Sequence, residues 1–338
     1  MKRISITLLS IIGAFVLLPA QENNSAINWE FTPTITFDGV FKSRYEYAHQ
    51  ASASRFSVRN SRLGIQGDVT PFISYRAMAE LSNEGKFQIL DIYSAIAPID
   101  GLSIKIGQSG TLVHNSYTTS PGKLMFANRP FIGKHFTYGT RDIGVTASYN
   151  FKINQLPIGI DAGVFNGNTI NDPVWTDKPS FSTRLRLGTM KGLRGTAKLY
   201  KFPKSDLLDF MIYGADLRYE ANSWKVETEF MYRKNKVNNE KLAGAYLQGA
   251  YWFPLQNTKL FKNIITAARW DGMGRNETDD DIDVHRLTLG LGFSFTEAPF
   301  GSLVRIDYEF YNTRNDIGIF TTDVMNSNKL SVELLLTF

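Results

Sequence analysis

The residues with the clearest chemical pattern form one basic stretch. Between Asp100 and Asp142 the chain has no acidic residue, but it contains Lys105, Lys123, Arg129, Lys134 and Arg141, together with His114 and His135. A low-dielectric wall that carries one sign of charge concentrates counter-ions, and rings of Arg or Lys are a means by which pores select anions and phosphate. The stretch predicts an anion-attracting constriction, provided that the fold arranges it around water.

Further charged residues occur in segments where polar and apolar residues alternate. The bases are Arg76, Arg184, Arg186, Arg269, Arg286 and Arg305, and the acids are Glu80, Asp91, Asp161, Asp216, Glu227, Glu229, Asp307 and Glu309. If the polar faces enclose a lumen, these side chains line it. Alternatively, they pair across neighbouring strands and only fix the shape of the interior. The sequence leaves both interpretations open.

No constellation for catalysis or for a cofactor stands out. Gly272–Gly274 and Gly290–Gly292 lack the following helix of a phosphate loop. Asp279–Asp283 resembles the start of a calcium loop, but a glycine stands where an EF-hand requires glutamate, so a solvated acidic loop is expected. Asp283 and His285 share a strand face, as the Asp/His pairs of some outer-membrane proteases do, but no second carboxylate pair accompanies them, so catalysis is not expected. The lack of cysteine excludes thiol catalysis, zinc ribbons and a lipid-anchoring cysteine. We expect no enzyme activity, metal or cofactor.

The elements that must position these residues are strands. Apolar and polar residues alternate in blocks of about ten, which is the period of strands with one apolar face. In the last block Leu334, Leu336 and Phe338 share one face, and Glu333 and Leu335 the other. Sixteen blocks are found, near residues 31–47, 55–68, 73–81, 87–97, 102–108, 140–150, 158–165, 180–188, 194–201, 209–220, 224–233, 242–253, 259–270, 284–295, 303–311 and 328–338. A change of phase in the second block predicts a bulge near Asn60-Ser61.

The connections between the blocks are alternately long and short, which is typical of outer-membrane barrels. Apolar outer faces in lipid require every backbone group to be paired, so the sheet must close. Sixteen strands enclose more space than side chains fill, and the contents are expected to be water. Residues 109–139 form the longest connection. It contains the apolar residues Leu124, Met125, Phe126, Phe131, Ile132 and Phe136, so we expect it to fold into the lumen.

The N-terminus predicts export. Lys2 and Arg3 precede the uncharged residues 4–18, and small Ala20 is followed by polar residues. This pattern predicts a signal peptide over 1–20 and a barrel domain over 21–338. Cleavage removes two bases and no acid, which leaves a formal charge of +3. A net charge that small gives no reason to expect that the protein binds nucleic acid. Outer-membrane lipid and lipopolysaccharide are the expected surroundings, in a Gram-negative bacterium.

Five segments resemble the phosphate-selective porin O and P family in order and spacing. They are Arg62–Gly67, Ile73–Arg76, Leu102–Gln108, Arg141–Val145 and Val164–Gly167. The resemblance implies a sixteen-stranded porin, usually a homotrimer, with an infolded third long loop, an arginine ladder and loop lysines that strip water from phosphate. Lys105 and Arg141 lie in segments that match its wall, and Lys123, Arg129 and Lys134 in the loop segment. The terminal Phe338 resembles the signal read by the barrel-assembly machinery.

The sequence therefore predicts a transmembrane antiparallel β-barrel of about sixteen strands with one loop in the lumen. The expected function is passive diffusion of small hydrophilic solutes, with a preference for anions or phosphate. The alternative is a closed structural or adhesion barrel whose external loops bind a partner.

Overall fold

A computed structural model describes residues 31–113, 119–137, 139–167, 170–189, 191–205, 207–275, 282–320 and 325–338. The predicted signal peptide, His114 and Asp279–Asp281 lie outside these ranges, so the structure does not bear on them. Over the part of the chain that is described, no helix has both the length and the apolar character needed to cross a membrane.

The structure consists almost entirely of strands joined by turns. The strands are β1 (Thr36–Ala48), β2 (Ala53–Val58), β3 (Ser61–Thr70), β4 (Ile73–Asn83), β5 (Lys86–Ile96), β6 (Leu102–Gly110), β7 (Arg141–Ile153), β8 (Leu156–Phe165), β9 (Ser180–Gly188), β10 (Gly192–Ser205), β11 (Leu208–Ala221), β12 (Trp224–Asn235), β13 (Lys241–Pro254), β14 (Asn263–Gly274), β15 (Val284–Ser294), β16 (Leu303–Thr313) and β17 (Lys329–Thr337). Each of the sixteen predicted blocks overlaps a strand.

The sheet closes into an antiparallel ring of sixteen strands. β3 to β17 pair in chain order, and β1 completes the ring by pairing with β17 on one side and β3 on the other. Among the described residues, β2 pairs with β1 alone. The break between β2 and β3 contains Asn60, whose φ is 50°, and the β3–β4 register shifts between Ser61 and Arg62. The bulge predicted near Asn60-Ser61 is confirmed.

The two faces of the sheet separate as the alternation predicts. On β17 Leu334 and Leu336 are exposed on the outside, while Glu333 and Leu335 are buried inside. Aromatic residues near the short turns are exposed on the outer face. They include Phe72, Tyr149, Tyr219, Trp224, Phe253 and Phe338. Aromatic girdles of this kind lie at membrane interfaces.

The longest connections leave one end of the barrel. They are residues 111–140, 166–179 and 314–328, whereas two-residue turns such as 154–155 and 222–223 occur at the other end. Two connections at the long-loop end, 84–85 and 206–207, are also short. Turns that small leave little chain at that part of the rim.

Residues 111–140 are called the lumen loop below, and the described part of this loop packs against the inside of the wall, as predicted. The loop contains a 3₁₀ turn at Pro121–Lys123 and one helical turn, α1, at Ile132–His135. Ile132 and Phe136 are 0% exposed in a cluster with Phe202, Phe210 and other wall residues. Met125 and Phe126 join a second cluster with Leu303, Leu335 and their neighbours. The apolar residues of the loop therefore gain a core that they would lack outside the barrel.

Candidate functional site

Basic wall residues hold the lumen loop by its carbonyl groups. Arg269 Nη1 donates to Asn128 O at 2.8 Å, Arg286 Nη2 to Arg129 O at 2.9 Å, and Arg305 Nη1 to Leu124 O at 2.7 Å. Further bonds of this kind run from Arg44 to Ala127 O, from Lys225 to Lys123 O, and from Arg233 to the carbonyls of His135 and Phe136. A loop that forms no strand has its buried backbone acceptors satisfied in this way.

Acidic wall residues bind the amide groups of the same loop. Asp307 Oδ2 accepts from Ala127 N at 2.6 Å, and Asp271 Oδ2 accepts from Phe131 N at 2.7 Å. Asp271 also binds Arg286, which is paired in turn with Glu309 at 2.9 Å. The wall thus carries alternating charges because the loop presents both N–H and C=O groups to it.

Two wall glycines make room for the loop. A Cβ atom at Gly244 would lie 2.5 Å from the Cγ2 atom of Ile132, and one at Gly290 would lie 3.1 Å from the Phe126 ring. Gly272–Gly274 and Gly290–Gly292 both lie within strands, β14 and β15. Gly290 therefore leaves space in which Phe126 of the loop can pack against the wall.

The prediction that six wall arginines line the lumen is corrected for three of them. Arg269, Arg286 and Arg305 point into the barrel, as predicted, but they are only 1%, 2% and 2% exposed. Their guanidinium groups are occupied by loop carbonyls and by Asp271, Glu309 and Glu333. Because the loop covers them, they do not line an open passage in this structure.

An arginine-rich pocket of about 360 Å³ remains between the lumen loop and the opposite wall. Five arginines line it, Arg44, Arg59, Arg62, Arg129 and Arg141, and Glu80 is the one acid among the described residues of its lining. We call it the arginine pocket. It combines two of the predicted constriction residues, Arg129 and Arg141, with three that the sequence reasoning did not single out.

Ion pairs fix four of these arginines. Arg62 binds Glu80, and Arg141 binds Asp91 at 2.8 Å. Arg59 binds Glu84, and Arg44 shares Glu333 with Lys42. Of these acids only Glu80 lines the pocket, so most carboxylates lie outside the lining that the guanidinium groups form. The pocket therefore presents a positive surface although its bases are paired.

The remaining bases of the basic stretch lie apart. Lys123 is exposed in the 3₁₀ turn, and the side chain of Lys134 in α1 lies outside what the structure describes. Arg129 is buried and donates to Thr119 O at 3.0 Å. Lys105 lies on β6 with its Nζ atom 5.0 Å from the centre of the Tyr93 ring. The stretch thus supplies two arginines to the pocket rather than one compact cluster.

A second group of bases lies on the wall away from the loop. Arg184 and Arg186 both bind Asp161, at 2.8 and 2.9 Å, and Arg76 binds Asp38 at 2.9 Å. Nearer the loop, Lys198 on β10 pairs with Asp216 on β11 and Glu229 on β12, and Arg218 on β11 pairs with Glu227 on β12, which also binds Lys225 of its own strand. For these residues the cross-strand pairing considered in the sequence analysis is what the structure has.

Asp283, which the sequence analysis considered and rejected as part of a catalytic pair, has a structural role. The carboxylate of Asp283 accepts hydrogen bonds from Arg275 N at 2.6 Å and from Asn315 Nδ2 at 2.9 Å, which fixes the rim of the barrel. Within the described residues no group of three or more His, Asp or Glu is placed to hold a metal ion.

No protein-family model and no curated protein matches the sequence. Solved structures do share its fold. The anion-selective porin from Comamonas acidovorans is 14% identical with a TM-score of 0.65, over 91% of this chain and 100% of that one. OmpT, an outer membrane protein of Vibrio cholerae in its trimer form, is 11% identical with a TM-score of 0.63, over 91% and 100%. OmpF of Salmonella typhi is 12% identical with a TM-score of 0.63, over 90% and 97%. Identities this low establish the fold alone.

Proposed function

We propose that the protein is a channel of a Gram-negative outer membrane that lets small hydrophilic solutes diffuse passively and prefers anions. The observation that carries the proposal is the arginine pocket, in which five arginines and one glutamate line a cavity of about 360 Å³ inside a closed barrel. The apolar outer face supports a position in lipid, because a band of exposed Leu, Val and Phe around a whole barrel is costly in water.

The anion preference follows from the placement of charge. Guanidinium groups form the lining of the pocket, whereas Asp91, Glu84 and Glu333 lie outside that lining. In a low-dielectric wall the nearer charge dominates the local potential, so anions are enriched relative to cations. Arg76, Arg184 and Arg186 add less to this preference, because Asp38 and Asp161 pair with them on the same wall.

Two further properties belong to the proposal. Planar guanidinium groups bind oxyanions by paired hydrogen bonds, so phosphate is a suitable solute, in line with the resemblance to phosphate-selective porins. A homotrimer is the assembly that we propose, since a neighbour of the same fold is described in a trimer form. The Comamonas acidovorans protein, described as an anion-selective porin, supports the preference for anions. We infer transport and not catalysis.

The test is the reversal potential of single channels in a KCl gradient. The double variant Arg62→Gln/Arg129→Gln removes two charges from the pocket and leaves Glu80 facing it without Arg62. Lys191→Gln/Lys259→Gln is the matched control, because it removes the same charge from exposed residues of the short turns. We expect the anion-to-cation permeability ratio to fall severalfold in the first variant and to stay at the wild-type value in the control. Equal ratios in the two variants would rule out the pocket as the selectivity site. A reconstituted protein that opens no channels would instead favour the closed structural barrel.

A further inference from the structure

The outer face of the barrel carries a row of lysines at its long-loop end. Lys201 on β10 lies opposite Met211 on β11, Met211 opposite Lys234 on β12, and Lys234 opposite Lys241 on β13. Residues paired across antiparallel strands project from the same face, and the neighbours Ile212 and Met231 point into the buried core. The lysine row therefore faces outward, and each member lies within four residues of the end of its strand.

Two members of the row repel each other. Lys234 and Lys241 are a directly opposed pair, and like charges in that position destabilise a sheet. Lys201 binds Asp209, but the described residues give neither Lys234 nor Lys241 a carboxylate partner. Lys236, which follows β12, adds another exposed positive charge. An anion bound between these ammonium groups would remove the repulsion.

An apolar groove lies on β9 to β12, farther from the rim than the lysine row. Its volume is about 400 Å³. Small residues, Gly195, Ala197 and Ala215, form its floor, and Leu185, Leu217 and Phe230 form its sides. Ala197 lies opposite Ala215, and Ala215 lies opposite Phe230, so the floor crosses β10 and β11 and ends at the Phe230 ring on β12. Between this groove and the lysine row, Tyr213 and Tyr232 face each other on the outside.

We propose that this surface binds a phosphorylated lipid of the outer leaflet. The phosphate lies among Lys234, Lys236 and Lys241, the two phenols lie at the interface between headgroup and hydrocarbon, and one acyl chain fills the groove. Phenol side chains favour that interface, and basic residues at a membrane surface attract anionic headgroups. A free phosphate ion would use the lysines but not the groove. The proposal depends on the barrel spanning a membrane and is independent of the selectivity of the lumen.

The test measures lipid binding to the purified, folded barrel in a non-ionic detergent by native mass spectrometry. The probes are dimyristoyl phosphatidic acid, dimyristoyl phosphatidylcholine, dihexanoyl phosphatidic acid and inorganic phosphate. We expect Lys234→Gln/Lys241→Gln to weaken binding of dimyristoyl phosphatidic acid about tenfold or more. Lys234→Arg/Lys241→Arg should keep most of the binding, and Lys191→Gln/Lys259→Gln, the matched control at the other end of the barrel, should leave it unchanged. Ala197→Leu/Ala215→Leu fills the groove and should weaken binding of the dimyristoyl lipid while sparing the dihexanoyl one.

Several outcomes would overturn the proposal. They are equal binding of the two dimyristoyl lipids, wild-type binding by the lysine variant, and competition by inorganic phosphate as strong as that by lipid. A change of oligomeric mass in the lysine variant would assign the surface to contacts between copies. The reversal potential of Lys234→Gln/Lys241→Gln should equal that of the wild type, so failure here is distinguishable from failure of the channel proposal.

Discussion

Asp271 is the wall residue whose loss should most directly release the lumen loop. Its side chain is fully buried and binds Arg286, Arg269 and the backbone N–H of Phe131, the last at 2.7 Å. Asp271→Ala leaves two buried guanidinium groups to share Glu309 and leaves a loop donor unpaired. Removing one partner of a buried ion pair costs about 3–5 kcal/mol. If about 3 kcal/mol of this falls on docking of the loop, the equilibrium between released and docked loop shifts by a factor of about 100.

Asp161→Ala is the matched control for this prediction. Asp161 is also a buried wall carboxylate that binds two arginines, Arg184 and Arg186, but it has no bond to the part of the loop that the structure describes. Asp271→Asn is the graded variant, because its amide oxygen can still accept from Phe131 N without the charge. We expect loop release to be greatest for Asp271→Ala, smaller for Asp271→Asn and absent for Asp161→Ala.

Two assays report the position of the loop. Single-channel recording should show larger and noisier open-channel currents in Asp271→Ala. Trypsin, which is too large to enter the barrel, should cut the loop of that variant after Lys123 or Lys134 once the loop emerges. It should leave the loop uncut in the wild type and in Asp161→Ala. If Asp271→Ala matches Asp161→Ala in current noise and in cleavage, the ion pairs of the wall do not hold the loop.

Three further predictions concern the loop, the charges and the barrel. Gly244→Val places a side chain where Ile132 packs, so it should raise current noise as Asp271→Ala does. Gly249→Val, on the outer face of the same strand, is the control and should not raise the noise. Identical current traces from the two variants would contradict the packing role of Gly244. Neutralising Lys123, Arg129 and Lys134 together should lower the preference for anions, and unchanged selectivity would mean that the loop does not form the constriction. In SDS gels the unboiled protein should migrate differently from the boiled protein, because a closed barrel resists SDS until it is heated, and equal mobility would count against closure.

The ring and its two faces could be predicted because they depend on a local pattern. Alternation over about ten residues places Glu333 inside and Leu334 outside whatever else the chain does. The burial of Phe126, Ile132 and Phe136 could be predicted as well, since a loop that apolar has to leave water. These expectations required no knowledge of which wall the loop contacts.

The site was harder to predict because it depends on that contact. Arg269 and Arg286 have the same alternation as Arg184 and Arg186, but only the first two lie beneath the loop. Gly244 and Gly290 leave space for Ile132 and Phe126. The sequence alone does not show that these two glycines mark the part of the wall that the loop contacts. Arg59 lies in the bulge between β2 and β3, where the change of phase hides the direction of its side chain. Arg44 and Arg62 alternate regularly, and their polar face was a signal that could have been followed.

The central claim is that the lumen favours anions, and the reversal potential of the wild-type channel in a KCl gradient tests it most directly. With a known KCl gradient across a planar bilayer, the reversal potential should have the same sign as the equilibrium potential of chloride. It should do so because Arg44, Arg59, Arg62, Arg129 and Arg141 line the arginine pocket and enrich anions beside the lumen loop. A reversal potential on the potassium side would contradict the account, whatever the conductance.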